Sequence, residues 1–169
     1  MSMADDLLGV AREMAQSPVS NWEQARLRRA VSTAYYALFH FLLEQASARF
    51  VDDPAIQSLV SRGFSHSDLQ KAATTFKSGA LPIHIKSVFP DPIPIEIVQL
   101  STAFVTLQQA RHAADYDLLQ ALTHQQVITH VTAAEQAFAA FRTLLANPAA
   151  KNAIDRFLSS LLLIDRWKK

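Results

Sequence analysis

The chain has no cysteine and only three glycines among its 169 residues. The lack of cysteine excludes disulfide bonds, thiolate zinc sites and cysteine nucleophiles, and it is compatible with the reducing cytoplasm, where we expect the protein. The scarcity of glycine, together with the clustering of four of the seven prolines in residues 81–94, favours helices joined by a few loops.

An excess of charge of one sign is also lacking. Sixteen Lys and Arg residues are balanced by fifteen Asp and Glu residues, so the net charge is only +1. Such a chain has no long-range field to attract a polyanion, and any nucleic-acid binding would depend on a local patch. With 50% apolar and 18% charged residues, the composition is typical of a globular protein with a sizeable core.

Long hydrophobic runs are missing as well. The most apolar stretch near the end, residues 161–164, is far too short to span a bilayer. Residues 1–6 are acidic and contain no basic region, so we expect no secretory signal. We therefore expect no membrane association.

The spacing of apolar residues predicts an all-α protein with a single domain over residues 1–169. Helices are expected at residues 4–15, 22–50, 67–77, 95–116, 124–146 and 150–167, with a short helical turn in 55–63. The expected N-caps are Ser20 or Asn21, Ser65 or Ser67, and Thr123. The proline-rich residues 81–94 predict a loop, with a short extended piece at 83–86.

Long helices with short connections predict an up-and-down antiparallel bundle of four to five helices with an extra C-terminal helix. That last helix has a wide apolar face formed by Ile154, Phe157, Leu158, Leu161, Leu162 and Ile164. This face can either close the bundle or pack against a second subunit, and we favour the first.

One predicted helix contains an unusual mixture of residues. Residues 28–40 combine arginines, hydroxyls, two tyrosines and a histidine within a run that otherwise reads as buried. At the helical period, Arg29, Thr33, Tyr36 and His40 fall on one stripe. Buried polar groups need partners, and the best candidates lie downstream in residues 111–117.

Arg111 and Asp115 are four residues apart on the later helix, and their spacing has two interpretations. The first is an exposed intrahelical ion pair that contributes about 0.3–0.5 kcal/mol. The second places this face inside the bundle against Tyr36 and His40, with Asp115 orienting the Arg111 guanidinium for a phosphate group. Local sequence does not decide between them.

The remaining histidines and arginines are weaker indications of a functional site. His112 points about 100° away from Arg111 around the helix, towards solvent or a partner. The histidine spacings match no zinc motif, and neither a glycine-rich phosphate loop nor a nucleophile elbow is present, so we expect no metal and no cofactor. The best local phosphate-binding patch in the sequence comprises Arg12, Arg26, Arg28 and Arg29.

Taken together, two segments resemble a known family. They are Arg-Arg-Ala-x-Ser-x-Ala-Tyr-Tyr-Ala-x-Phe-His at residues 28–40 and Arg-x-x-Ala-Asp-Tyr at residues 111–116, supported by Ser-His-Ser-Asp-Leu at 65–69. The combination resembles the HEPN superfamily, and its small stand-alone bacterial members in particular. The resemblance implies a core at about residues 22–146, with the helices at 4–15 and 150–167 as additions.

The resemblance implies a helical bundle that is often a homodimer and serves in toxin–antitoxin, defence or RNA-metabolism systems, sometimes beside a small nucleotidyltransferase partner. Many members are metal-independent ribonucleases with an arginine followed, four to six residues later, by a histidine. Arg111 matches the arginine, but Tyr116, Asp117 and Leu118 follow it, so the histidine is missing. Cleavage needs a group that titrates near neutral pH, so catalysis stays open. His40 is our candidate for the replacement histidine, and His112 is another.

Three functional hypotheses follow. In the first, which we favour, the protein binds RNA, a nucleotide or a partner protein without catalysis. The residues expected to bind are Arg29, Tyr36, His112, Asp115 and Tyr116, beside Arg111. In the second, Arg111 and His40 act in an endoribonuclease. In the third, the same polar residues form a buried network that fixes helix register, and the function belongs to an oligomer surface.

Overall fold

The computed structural model describes residues 2–17, 22–89, 92–117 and 119–164. Every regular element within these ranges is helical, which confirms the all-α prediction. The helices are α1 (Met3–Gln16), α2 (Glu23–Phe50), α3 (Pro54–Ser61), α4 (His66–Lys77), α5 (Ile83–Lys86), α6 (Ile95–Tyr116), α7 (His124–Leu145) and α8 (Lys151–Leu163), with a 3-10 turn at Pro148–Ala150.

Side-chain caps set several helix ends. The Ser65 hydroxyl accepts a hydrogen bond from the Asp68 amide at 3.1 Å, and the Thr123 hydroxyl accepts one from the Gln126 amide at 3.3 Å. Both predicted caps are thereby confirmed. The expected caps Ser20 and Asn21 lie outside the described residues.

The prediction of an extended piece at residues 83–86 is wrong, because these residues form the single turn of α5. The amides of Ile85 and Lys86 both donate to the Pro82 carbonyl, at 2.9 and 2.8 Å, and this closes a helical turn. The helical turn expected within 55–63 is a complete helix, since Asp53 caps it and Pro54 occupies its first position.

The chain divides into two compact units, and the first comprises residues 1–41 and 103–138. Within it, α2 and α6 run antiparallel, because Arg28 reaches the Ala114 carbonyl while Tyr36, two turns further along, meets Arg111. The expectation of one domain over residues 1–169 stays a prediction.

The α7 helix completes the up-and-down order of the first unit by running parallel to α2. His124 pairs with Glu23 near the start of both helices, and the Phe138 ring stacks on Phe41 at 4.3 Å further along. An ion pair between Arg12 and Glu135 connects α1 to α7. Antiparallel neighbours therefore place the polar residues of α2 opposite the last turns of α6.

The second unit comprises residues 42–102 and 139–169, and a cluster of phenylalanines lies at its centre. The Phe76 ring is 5.1 Å from Phe157 and 5.4 Å from Phe89, and Phe157 is 5.9 Å from Phe141. Most of the predicted apolar face of α8 is buried here, which confirms that this helix closes the packing. Residues 165–167 of the helix predicted at 150–167 lie outside the described part of the chain.

The helical pattern also bears on the membrane prediction. Among the described helices, none combines the length and the apolar character needed to cross a bilayer.

Candidate functional site

Two pairs of polar residues face each other across α2 and α6. Ser32 and Tyr36 are four residues apart on α2, and Asp115 and Arg111 are four residues apart on α6. Because the two helices run in opposite directions, Ser32 meets Asp115 and Tyr36 meets Arg111. The structure confirms the part of the second interpretation that places Arg111 and Asp115 against Tyr36 of α2, and it also contains the intrahelical ion pair of the first. The phosphate stays a prediction. We call Ser32, Tyr36, Arg111 and Asp115 the polar site.

Several groups of the polar site hold the Arg111 guanidinium. Its Nε lies 2.7 Å from Asp115 Oδ2, and its Nη2 donates a hydrogen bond of 3.2 Å to the Tyr36 hydroxyl. Its central carbon lies 5.6 Å from the centre of the Tyr36 ring and 5.9 Å from that of Tyr35, within the range of cation–π attraction. The side chain nevertheless remains 26% exposed, so solvent still reaches it.

Both carboxylate oxygens of Asp115 are in use. While Oδ2 pairs with Arg111, Oδ1 accepts a hydrogen bond of 2.7 Å from the hydroxyl of the buried Ser32. The carboxylate therefore orients the guanidinium and also gives a buried hydroxyl the partner that it requires.

Tyr35 is a buried aromatic residue next to the polar site. Its ring is buried and lies 5.5 Å from Phe104 and 5.4 Å from Tyr36. Burial raises the pKa of the Tyr35 hydroxyl well above its ordinary value, and Tyr36 adds to the increase while the positive charge of Arg111 opposes it. The hydroxyl is therefore protonated at neutral pH.

We expect Tyr35 to make the protein less stable in alkali. The pKa of Tyr35 is higher in the folded than in the unfolded state, so the folded protein holds this proton more tightly. The free energy of unfolding is therefore unaffected by Tyr35 below about pH 10 and falls as the pH rises above that value. Urea unfolding at neutral and alkaline pH measures the loss, which Tyr35→Phe should reduce. Tyr116→Phe, at an exposed tyrosine, serves as the control. An unchanged pH dependence in Tyr35→Phe would contradict this assignment.

The structure does not bring the other predicted binding residues into the polar site. Arg29 is exposed, and it makes no hydrogen bond or ion pair with the residues that the structure describes. His112 and Tyr116 are also exposed and form their own ring pair on α6, with centres 4.9 Å apart.

His40, the candidate catalytic residue, is half-buried one turn beyond Tyr36. Its ring lies edge-on to Phe39 at 5.7 Å, and within the described ranges it forms no hydrogen bond or ion pair. In this part of the chain, therefore, no hydrogen bond or ion pair joins His40 to Arg111.

Two residues of the predicted basic patch have structural roles. Arg28 donates to the carbonyls of Ala114, Asp117 and Gln120 at 2.6, 2.9 and 2.6 Å, so it caps the end of α6, and Arg12 pairs with Glu135. The cap of Arg28 and the position of Ser32 were both missed from the sequence. The signal for Ser32 was available, since its spacing to Tyr36 equals that of Asp115 to Arg111.

In the described part of the chain, no group of three or more His, Cys, Asp or Glu side chains is placed to hold a metal ion. Comparison with protein-family models, curated proteins and solved structures found no match. The HEPN resemblance therefore rests on the residues quoted above and stays a prediction.

Proposed function

We propose that this protein is a HEPN-like binding module whose polar site takes a phosphate group of RNA or of a nucleotide. The observation that carries the proposal is that the Arg111 guanidinium is held by Asp115 and Tyr36 and is still partly exposed. Arginine suits this role because its planar, permanently charged group matches the geometry of phosphate oxygens.

The contacts of Arg111 prepare it for a ligand. A guanidinium already fixed by a carboxylate and a tyrosine loses less side-chain entropy on binding than a free one. The Nη1 nitrogen makes no hydrogen bond with the described residues, so it can donate to an incoming oxygen. Asp115 balances the charge of Arg111 within the site. We therefore assign a supporting electrostatic role to the exposed Arg29, on the turn of α2 that precedes Ser32.

Binding is preferred to catalysis because, among the described residues, no histidine forms a hydrogen bond or ion pair with Arg111. Cleavage of RNA through its 2′-hydroxyl requires an acid or base near neutrality, and arginine does not titrate there. An endoribonuclease using Arg111 and His40 is the alternative, and its histidine would have to approach when the substrate binds.

A second candidate is favoured by Ser32. Its buried hydroxyl donates to the carboxylate that also holds Arg111, and Arg111 donates to Tyr36, so two hydrogen bonds that each involve a charged group join α2 to α6. Such a network can fix the register of two helices without any ligand. In that case the function would belong to a surface elsewhere on the molecule.

The wider setting that we propose rests on the family resemblance alone. It comprises a cytoplasmic homodimer in a toxin–antitoxin, defence or stress system, with a nucleotidyltransferase-type protein as its partner.

Arg111→Ala is expected to weaken the binding of a short mixed-sequence RNA by about ten-fold or more, since charged hydrogen bonds of about 1.5–3 kcal/mol are lost. Fluorescence anisotropy with labelled RNA in the presence of chelator measures the affinity, and nucleoside monophosphates serve as competitors. The affinity of Arg111→Lys should lie between those of the wild type and Arg111→Ala, because lysine keeps the charge but lacks the planar group. Lys77→Ala removes one exposed positive charge from α4 and serves as the matched control.

The same samples, analysed on a denaturing gel, distinguish the alternatives. Cleavage by the wild type that disappears in Arg111→Ala would establish the ribonuclease, and His40→Ala would then test the proposed histidine. If wild-type protein binds neither RNA nor nucleotides, or if a folded Arg111→Ala binds them equally well, the proposal is wrong and the register-fixing network is favoured.

A further inference from the structure

The α3 helix differs from every other described helix in that it buries none of its residues. Ile56 and Leu59 are three residues apart, so they share one face, and they are 45% and 61% exposed. Two neighbouring apolar side chains that both remain exposed make this face of α3 a candidate contact surface.

The charges around α3 are arranged at its two ends. None of the residues 54–61 is charged, whereas Asp52 and Asp53 precede the helix and Arg62 follows it. The Asp53 carboxylate is already used, because it accepts a hydrogen bond of 2.8 Å from the Ala55 amide. Asp52 and Arg62 are exposed, and neither side chain forms a hydrogen bond or ion pair with the described residues.

We propose that α3 is a contact surface between two copies of this chain, which pack their α3 helices antiparallel across a two-fold axis. In this arrangement Asp52 faces the partner's Arg62, and Arg62 faces the partner's Asp52. The apolar face with Ile56 and Leu59 then packs against its own symmetry copy. An interface of this kind uses the same patch on both subunits, so the patch must complement itself.

The charge pattern is what identifies a second copy as the occupant. An eight-residue helix is about 12 Å long, so the two unpaired charges stand at opposite ends of a short neutral segment. Antiparallel packing brings opposite charges together at both ends, whereas parallel packing would bring like charges together. The helix dipole also favours an acid at the start and a base at the end, and antiparallel dipoles add to the attraction.

The proposal is independent of the polar site, and its first test is the oligomeric state of the full chain. Sedimentation equilibrium over a range of concentrations should show a dimer that dissociates on dilution, as expected for a small interface. Leu59→Lys should raise the dissociation constant by about ten-fold or more. Val10→Lys, at an exposed apolar residue of α1, should leave it unchanged. Circular dichroism of both variants checks that they are folded.

A charge exchange tests the antiparallel geometry itself. Asp52→Arg and Arg62→Asp should each weaken self-association, because like charges then meet at both ends of the interface. An equimolar mixture of the two variants should dimerise again, since each variant carries the charges that complement the other. A monomeric wild type, a dimer that Leu59→Lys does not weaken, or a mixture no stronger than its separate components would overturn the proposal.

Discussion

Phe157→Ala is expected to lower the free energy of unfolding by about 3–5 kcal/mol. Phe157 is fully buried on α8, and its ring contacts those of Phe76 and Phe141. Removing the ring costs the transfer energy of its atoms and leaves a cavity between rigid aromatic neighbours that cannot close completely.

Urea denaturation followed by circular dichroism measures this loss. Asn152→Ala, at an exposed residue of the same helix, is expected to change the stability by less than about 0.5 kcal/mol. A loss below about 1 kcal/mol in Phe157→Ala would show that α8 packs only loosely on α4 and α7, against the closing role assigned to it.

The long helices could be predicted from the sequence because their apolar periodicity extends over many turns. Residues 95–116 were predicted as a helix, and α6 spans Ile95–Tyr116. The pattern fails where a segment is too short to show a period. Ile83–Lys86 alternates like a strand over four residues, but its conformation is decided by two amides that share the Pro82 carbonyl.

The candidate site was only partly predictable for a different reason. The spacing of Arg111 and Asp115 is local and readable, whereas the identity of their partners depends on the register between α2 and α6. The helical stripe selected Thr33, although it is the neighbouring Ser32 that donates to Asp115. The cap formed by Arg28 depends on where α6 ends, so no pattern within α2 could reveal it.

Asp115→Ala is expected to lower the free energy of unfolding by about 2 kcal/mol. The change removes the charged partner of Arg111, whose side chain is only 26% exposed, and leaves the buried Ser32 hydroxyl without its acceptor. We place the loss below the full value for a buried ion pair because water still reaches a quarter of both charged side chains. Urea denaturation measures the loss, and Glu13→Ala, at an exposed acid of α1, is the control.

A double-mutant cycle shows whether Asp115 acts through Arg111. Much of the cost of Asp115→Ala lies in the stranded positive charge, so Arg111→Ala should remove that part of the cost when both changes are combined. The free energy of unfolding of the double variant should therefore exceed, by about 1 kcal/mol or more, the value predicted by adding the two single losses. If the losses add to within about 0.5 kcal/mol, the carboxylate serves mainly as the acceptor for Ser32. In that case the guanidinium is not held by Asp115, and one support for the proposed phosphate site is removed.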